Sequence, residues 1–338
     1  MIWNTDRMDY FAADFFQGMG LAMPDRWEPL IGVRNAGAIV RKGFDPTRFA
    51  IIISGGGGNG PLFPGYVGEG LADAAAIGAP FAAPNAYTIY ETGKALHPAK
   101  GVLLLYNNFA GDFLNNDMAA EFLQMDGIPV ESVISNDDIA SAVGEERSAR
   151  GGRCGIAFLI KMAANCAKRD MSLQDTAALL RGAQSRLGTL SIHLDFGSRL
   201  IAYGAGFSGE SGVRTATHMD MGRCAQEACN MLLEDLEPRE GERLYVLVNR
   251  LRYTSYADGY IFANLVHRYL SSRHPVEQMR VANFSNIIDV YGYSVTILCA
   301  DANLRPTWRA PAIPIALSYD KGGINPCLQK NGNKRSMI

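Results

Sequence analysis

Short unbroken apolar runs alternate with segments of helical period along the first half of this chain. Phe49-Ala50-Ile51-Ile52-Ile53, Gly101-Val102-Leu103-Leu104-Leu105-Tyr106 and Ile128 to Ile134 read as strands. A run of aliphatic residues without polar alternation has no solvent side, so the first two of these strands are expected to be buried on both faces. Residues 8–22, 117–125, 155–169 and 173–187 carry the wider period of helices, and Pro24-Asp25-Arg26 closes the first. Ala72 to Ile77 is small and helical in propensity. Asn107 to Asp112 is expected to be the loop at the end of its strand. Strands alternating with helices predict a parallel sheet covered on both faces, with ligands at the carboxyl ends of the strands.

A second unit begins near Gly188. Residues 200–207, 243–248 and 293–298 are candidate strands, and 221–236 and 258–270 candidate helices. The first of these helices carries Cys224, Ala225, Ala228, Cys229, Leu232 and Leu233 at helical spacing. The expected organisation is two α/β domains, residues 1–187 and 188–318, with sheets flanked by helices and a ligand cleft at the carboxyl ends of the strands. A polar tail, 319–338, has little to bury.

Composition narrows the function. Of 338 residues, 48% are hydrophobic and 20% charged, with a net charge of −2 and no basic stripe, which argues against a nucleic-acid partner. No uncharged apolar stretch reaches about 18 residues, so no membrane span is expected. The start lacks a basic segment followed by an apolar core, which points to the cytoplasm. The six cysteines contain no Cys-x-x-Cys pair and read as buried thiols rather than a metal site or disulfide frame.

Two glycine-rich loops carry the candidate chemistry. Ser54-Gly55-Gly56-Gly57-Gly58-Asn59-Gly60 follows the first strand, where bare backbone lets N–H groups approach a ligand. It has no Gly-Lys-Ser/Thr, and Pro61 and Pro64 stop a helix from opening there, which excludes a P-loop and a dinucleotide fingerprint. Gly204-Ala205-Gly206-Phe207-Ser208-Gly209-Glu210-Ser211-Gly212 is the second loop, with His218 beyond it. Ser208 lacks a nucleophile-elbow setting, and the five histidines suggest no triad order. Asp112 is either a carboxylate that handles a substrate hydroxyl or the cap of the following helix. Asn136-Asp137-Asp138 is either a solvated turn or, less well supported, a metal pair. Arg250 and Arg252 stand at a strand end as a candidate anion site, or else lie at the surface or in a subunit contact.

Over roughly residues 5 to 312 the chain resembles the substrate-binding K subunit of dihydroxyacetone kinases. The resemblance rests on Ser54 to Gly57, Gly65-Tyr66-Val67-Gly68-Glu69-Gly70, Asn108-Phe109-Ala110-Gly111-Asp112, Gly206 to Arg214, Leu247-Val248-Asn249 and Gly292-Tyr293-Ser294-Val295-Thr296. It implies substrate binding by the first loop (Gly57, Gly58, Asn59, Gly60) together with Asn107, Asp112 and Ser208. Asp112 is the counterpart of the family's substrate-orienting aspartate. Three positions depart from the family, one of them Asn107, which stands where the family has a lysine. Pro61 stands about where the first-loop histidine belongs, and Ser208 replaces the histidine that adds covalently to the ketone.

The resemblance further implies a homodimer and a separate helical L subunit that carries nucleotide and Mg, with no cofactor on this chain. The expected function is binding of a small keto-sugar or polyol for phosphorylation by that partner, with Asp112 and Ser208 as candidate catalytic residues. Two alternatives are a non-catalytic sensor or co-regulator on the same fold, and carbonyl chemistry on an anionic sugar held by the arginines.

Overall fold

The computed structural model describes residues 10–32, 35–143, 146–206, 212–217, 220–286 and 290–305. Sheet one contains β1 (Trp27–Ile31), β2 (Gly37–Arg41), β3 (Ala50–Gly57), β4 (Ala74–Pro80), β5 (Val102–Asn107) and β6 (Val130–Ser135), in the order β1-β2-β4-β3-β5-β6. The four strands β4-β3-β5-β6 are parallel, and β2 and β1 extend them as an antiparallel edge. Ala50, Ile52, Val102 and Leu104 pack under α2 (Ala86–Ala95) and α3 (Ala110–Met125), where they meet Ile89 and Leu123. The alternate residues Ile51, Ile53, Leu103 and Leu105 pack against α4 (Ile156–Lys168) and α5 (Leu173–Gln184), in a cluster that also holds Phe16 of α1 (Phe11–Ala22). The apolar runs of β3 and β5 are thus buried from both sides, as their patterning predicts, whereas edge strand β6 is largely half-buried.

Sheet two contains β7 (Leu187–Asp195), β8 (Leu200–Tyr203), β9 (Arg214–Ala216), β10 (Arg243–Arg250), β11 (Val276–Ala282) and β12 (Tyr291–Ala300), in the order β11-β10-β12-β7-β8-β9. Only β10 and β11 run parallel. One face packs Leu190, Ile192, Val246, Val248, Val295 and Ile297 against α6 (Met221–Leu236) and α7 (Tyr256–Ser271). Tyr245, Leu247, Leu298 and Ala300 join the cluster around α4 instead. α4 therefore lies between the sheets, and every residue from Ile156 to Ala167 is buried. Its buried lysine, Lys161, donates to the Gly70 carbonyl at 3.3 Å, and burial pushes its ammonium down to about 8.

Three local expectations change. Ala74–Pro80 is strand β4, although its alanines favour helix. Intrinsic propensities differ by at most about 0.7 kcal/mol per ordinary residue, less than a two-sided ladder and full burial supply. The Asp73 carboxylate sets the start of β4 by accepting from the Ile51 N–H at 2.9 Å and from Arg41 and Arg48. The helix expected to run to 187 stops at Gln184, and β7 follows, with Leu190, Ile192 and Leu194 at strand period. α3 starts at Ala110 rather than near Asp117, which moves Asp112 out of the expected loop. No helix among the described residues is long and apolar enough to cross a membrane.

Candidate functional site

The parallel strands of sheet one place Gly57, Asn107 and Ser135 at one carboxyl edge. From Asn107 the chain turns directly into α3, whose cap residue is Phe109. Asp112 lies in the first helical turn and is not the cap. Its main chain is tied to the end of β3 by Asn116, which donates to the Asp112 carbonyl at 2.8 Å and accepts from the Ser54 hydroxyl at 2.9 Å. The Asp112 side chain is only 7% exposed, and its Oδ1 has no hydrogen-bond partner. Burial pushes its pKa up to about 7.

The first loop is shaped by its own packing as much as by any guest. A Cβ on Gly55 would stand 1.9 Å from the Phe63 ring, and one on Gly57 would stand 2.7 Å from the Gly78 carbonyl. Gly58 has φ +97°, a conformation that side chains resist. At Gly60 a Cβ would meet nothing within 4 Å. The first two bare positions are filled from within the protein, and the space beside Gly60 is open.

Asn59 Oδ1 and Asn107 Oδ1 are buried and, like Asp112 Oδ1, lack partners. Each such unmet acceptor destabilises a fold by about 1–3 kcal/mol, and a ligand bearing O–H groups would relieve it.

Asn136-Asp137-Asp138 is not a solvated turn: Asp137 is fully buried and Asp138 is 2% exposed. Asp137 accepts from the N–H groups of Arg153 and Gly155 and from the hydroxyls of Ser135 and Thr189. Asp138 pairs with Arg153 at 2.6 Å. Among the described residues no group of three or more His, Cys, Asp and Glu side chains converges as a metal site. Arg153 also donates to the Ala205 carbonyl at 3.3 Å, which anchors the base of the second loop beside the end of β6. Gly204 takes φ +79° there. Ser208 and His218 lie outside the described residues.

Arg250 and Arg252 each attend a different tyrosine. The Arg250 guanidinium sits over Tyr256 at 5.4 Å and donates to the Thr254 carbonyl, whereas exposed Arg252 sits over Tyr253 at 5.9 Å. Several supporting residues escape motif reading because they form no local pattern: Asn116, Arg153 and Asn286. Asn249 ends β10 fully engaged, accepting from the Phe284 and Ser285 N–H groups and donating to the Ser285 carbonyl and the Ser294 hydroxyl. Beside it Cys154 lies 3.6 Å from Ser294 Oγ, and burial pushes its thiol up to about 12, so it is held as an inert core group. All five described cysteines are buried and free.

Two helix-flanked sheets, with buried acceptors left without partners near the carboxyl ends of the sheet-one strands, define an α/β protein of two packed sheets. The chain belongs to the Dak1 domain family, which matches residues 26–316. It is 30% identical to the dihydroxyacetone-binding subunit DhaK of PTS-dependent dihydroxyacetone kinase 2 of Listeria innocua, over 79% of this chain and 84% of that protein. It is also 30% identical to the L-erythrulose 1-kinase of Mycolicibacterium smegmatis, over 92% of this chain but 57% of that protein. A solved structure described as "Regulation of the dha operon of Lactococcus lactis" superimposes with a TM-score of 0.82 at 25% identity, covering 90% of this chain and 94% of that one.

Proposed function

We propose that the chain is a ligand-binding subunit of the dihydroxyacetone-kinase type that holds a short, uncharged keto-sugar or polyol without a covalent bond. Asp112 carries this reading: a carboxyl group almost wholly withdrawn from water, with one oxygen unanswered, at the edge where the first glycine loop ends. Asn59 and Asn107 add two more unmet acceptors, and the three together suit a compact ligand with several hydroxyls. Residues 1–187 supply these groups and Gly58 to Gly60, and residues 188–318 supply the second loop with Ser208.

An unactivated serine hydroxyl does not add to a ketone at neutral pH as an imidazole does, so Ser208 contacts the ligand rather than capturing it. Asp112 accepts the hydrogen bond of the reacting hydroxyl and takes up its proton, a role suited to a carboxylate raised to about 7. The phosphoryl group comes from an L-type partner that carries nucleotide and Mg, and the chain pairs with a second copy of itself.

Isothermal titration with dihydroxyacetone, L-erythrulose, D-erythrulose and glycerol tests the reading. At least one should bind, more tightly as pH rises through about 7, and Asp112→Asn should weaken binding by about 1–3 kcal/mol. Heat from none of them would refute the ligand class. Adding a nucleotide-loaded L subunit to the liganded chain should then release ADP, whereas the chain alone should release none.

A second reading is supported by the Lactococcus lactis structure, whose description concerns operon regulation. On that reading the chain is a ligand-dependent co-regulator. It predicts ketose binding with no turnover in the presence of any L subunit.

A further inference from the structure

The cleft lies at the edge of sheet one, yet the backbone of its first loop is held from sheet two. Asn286, in the segment after β11, donates its main-chain N–H to the Asn59 carbonyl at 3.1 Å and its Nδ2 to the Gly60 carbonyl at 2.7 Å. Asn283 Nδ2 donates to Asn286 Oδ1 at 2.6 Å and to the Arg250 carbonyl at 2.9 Å, which steadies the amide of Asn286. Asn249 grips the intervening Phe284 and Ser285 through both backbone N–H groups and a carbonyl, and the Tyr66 hydroxyl closes the circuit onto the Phe284 carbonyl at 2.9 Å. A chain of asparagines thus runs from the end of β10 to the tip of the first glycine loop.

The consequence follows from peptide geometry. The Asn59–Gly60 bond is trans, so its carbonyl and the Gly60 N–H point in opposite directions. Because the carbonyl is turned onto Asn286, the Gly60 N–H faces away from Asn286, and no acceptor among the described residues takes it. A Cβ at Gly60 would meet nothing within 4 Å, so nothing in the described protein crowds that position.

We propose that Asn286, seated by Asn283 and Asn249, is a positioning residue that sets the Gly60 N–H as a donor to a ligand oxygen. Sheet two thereby controls the hydrogen-bonding state of a site built on sheet one. This rests on the keto-sugar or polyol reading above for the identity of the ligand, but not for the state of the loop. The motif Asn283-Phe284-Ser285-Asn286 is then part of the binding machinery although none of its side chains is offered as a ligand contact.

The test uses the full chain with Asn286→Ala, Asn286→Asp and Asn286→Gln. Amide hydrogen exchange is followed in peptides covering residues 57–66, with β3 and β10 peptides as internal references. Loss of the Nδ2 donor should speed exchange in 57–66 roughly tenfold in the Ala variant, with the references unchanged. The Asp variant fills the same space but cannot donate, and should match Ala. The Gln variant keeps the amide donor and should recover part of the protection. An Asp variant as protected as the original chain would reduce Asn286 to a filler and overturn the proposal, as would unchanged exchange in the Ala variant.

Whichever ketose or polyol binds the original chain should bind Asn286→Ala roughly tenfold more weakly. Equal affinity despite a loosened loop would also overturn the proposal. If no ketose or polyol binds the original chain, the ligand reading fails, while exchange still decides whether Asn286 holds the loop.

Discussion

Asp137 and Asp112 are two buried carboxylates at the same edge of sheet one, and the fold treats them in opposite ways. Asp137 is met by two backbone N–H groups and two hydroxyls drawn from β6, β7 and the entrance to α4. Asp112 is nearly as buried, yet one oxygen has no partner and burial raises its pKa to about 7. A buried carboxylate with all its donors in place is a joint of the architecture. One left without them is a place where the chain forgoes stability, and such places cluster at functional sites. The comparison separates roles that the residue type alone does not.

The largest effect should come from breaking the joint. Asp137→Ala leaves four donors without their acceptor and should destabilise the protein by about 3–5 kcal/mol, read by chemical denaturation. A change under about 1 kcal/mol would erase the contrast with Asp112.

The opposite sign is expected at Asp112. The folded chain holds the Asp112 proton up to about 7, whereas the unfolded chain releases it near the ordinary 3.8. The folded state thus binds more protons between those values, and stability falls as pH rises across that window. Asp112→Asn has no such penalty. Without ligand it should be more stable than the original chain by a few kcal/mol at pH about 8, and nearly equal to it at pH about 4. Melting temperatures at the two pH values measure this. A variant less stable at the higher pH would show Asp112 to be structural.

A smaller effect sharpens the same distinction within the first loop. Gly55→Ala drives a methyl into the Phe63 ring and should destabilise by about 1–3 kcal/mol, while Gly60→Ala should stay within about 1 kcal/mol because the space is free. The sign reverses for ligand affinity, where Gly60→Ala should be the more harmful of the two. Calorimetric titration of both variants decides it.

The smallest effect is expected at Arg252. It is exposed and touches the structure through a tyrosine ring, so Arg252→Ala should move stability by no more than about 0.5 kcal/mol and leave affinity for an uncharged ketose unchanged. Loss of binding in this variant would point to an anionic ligand instead.

The sequence by itself determined β3, β5 and β6 of sheet one and every described α-helix but α2, because apolar runs and helical periods state which faces meet protein; it showed neither β1 nor β2. It also exposed the family through the spacing of its glycine loops and Asp112. It misjudged Ala74–Pro80 because alanine marks small space rather than helix once two strands flank it. It misjudged Asp137 and Asp138 because an acidic triplet reads as solvated until the donors of Arg153, Gly155 and Thr189 arrive from distant segments. Only the tertiary structure decided which glycines are filled from within, which carboxylate stands unmet, and that Asn286 reaches Gly60 across 226 positions of sequence. Hydrophobic patterning is local and repeats along the chain, so a sequence displays it. Whether a polar group is satisfied depends on partners brought together from far apart, and that information exists only once the chain has folded.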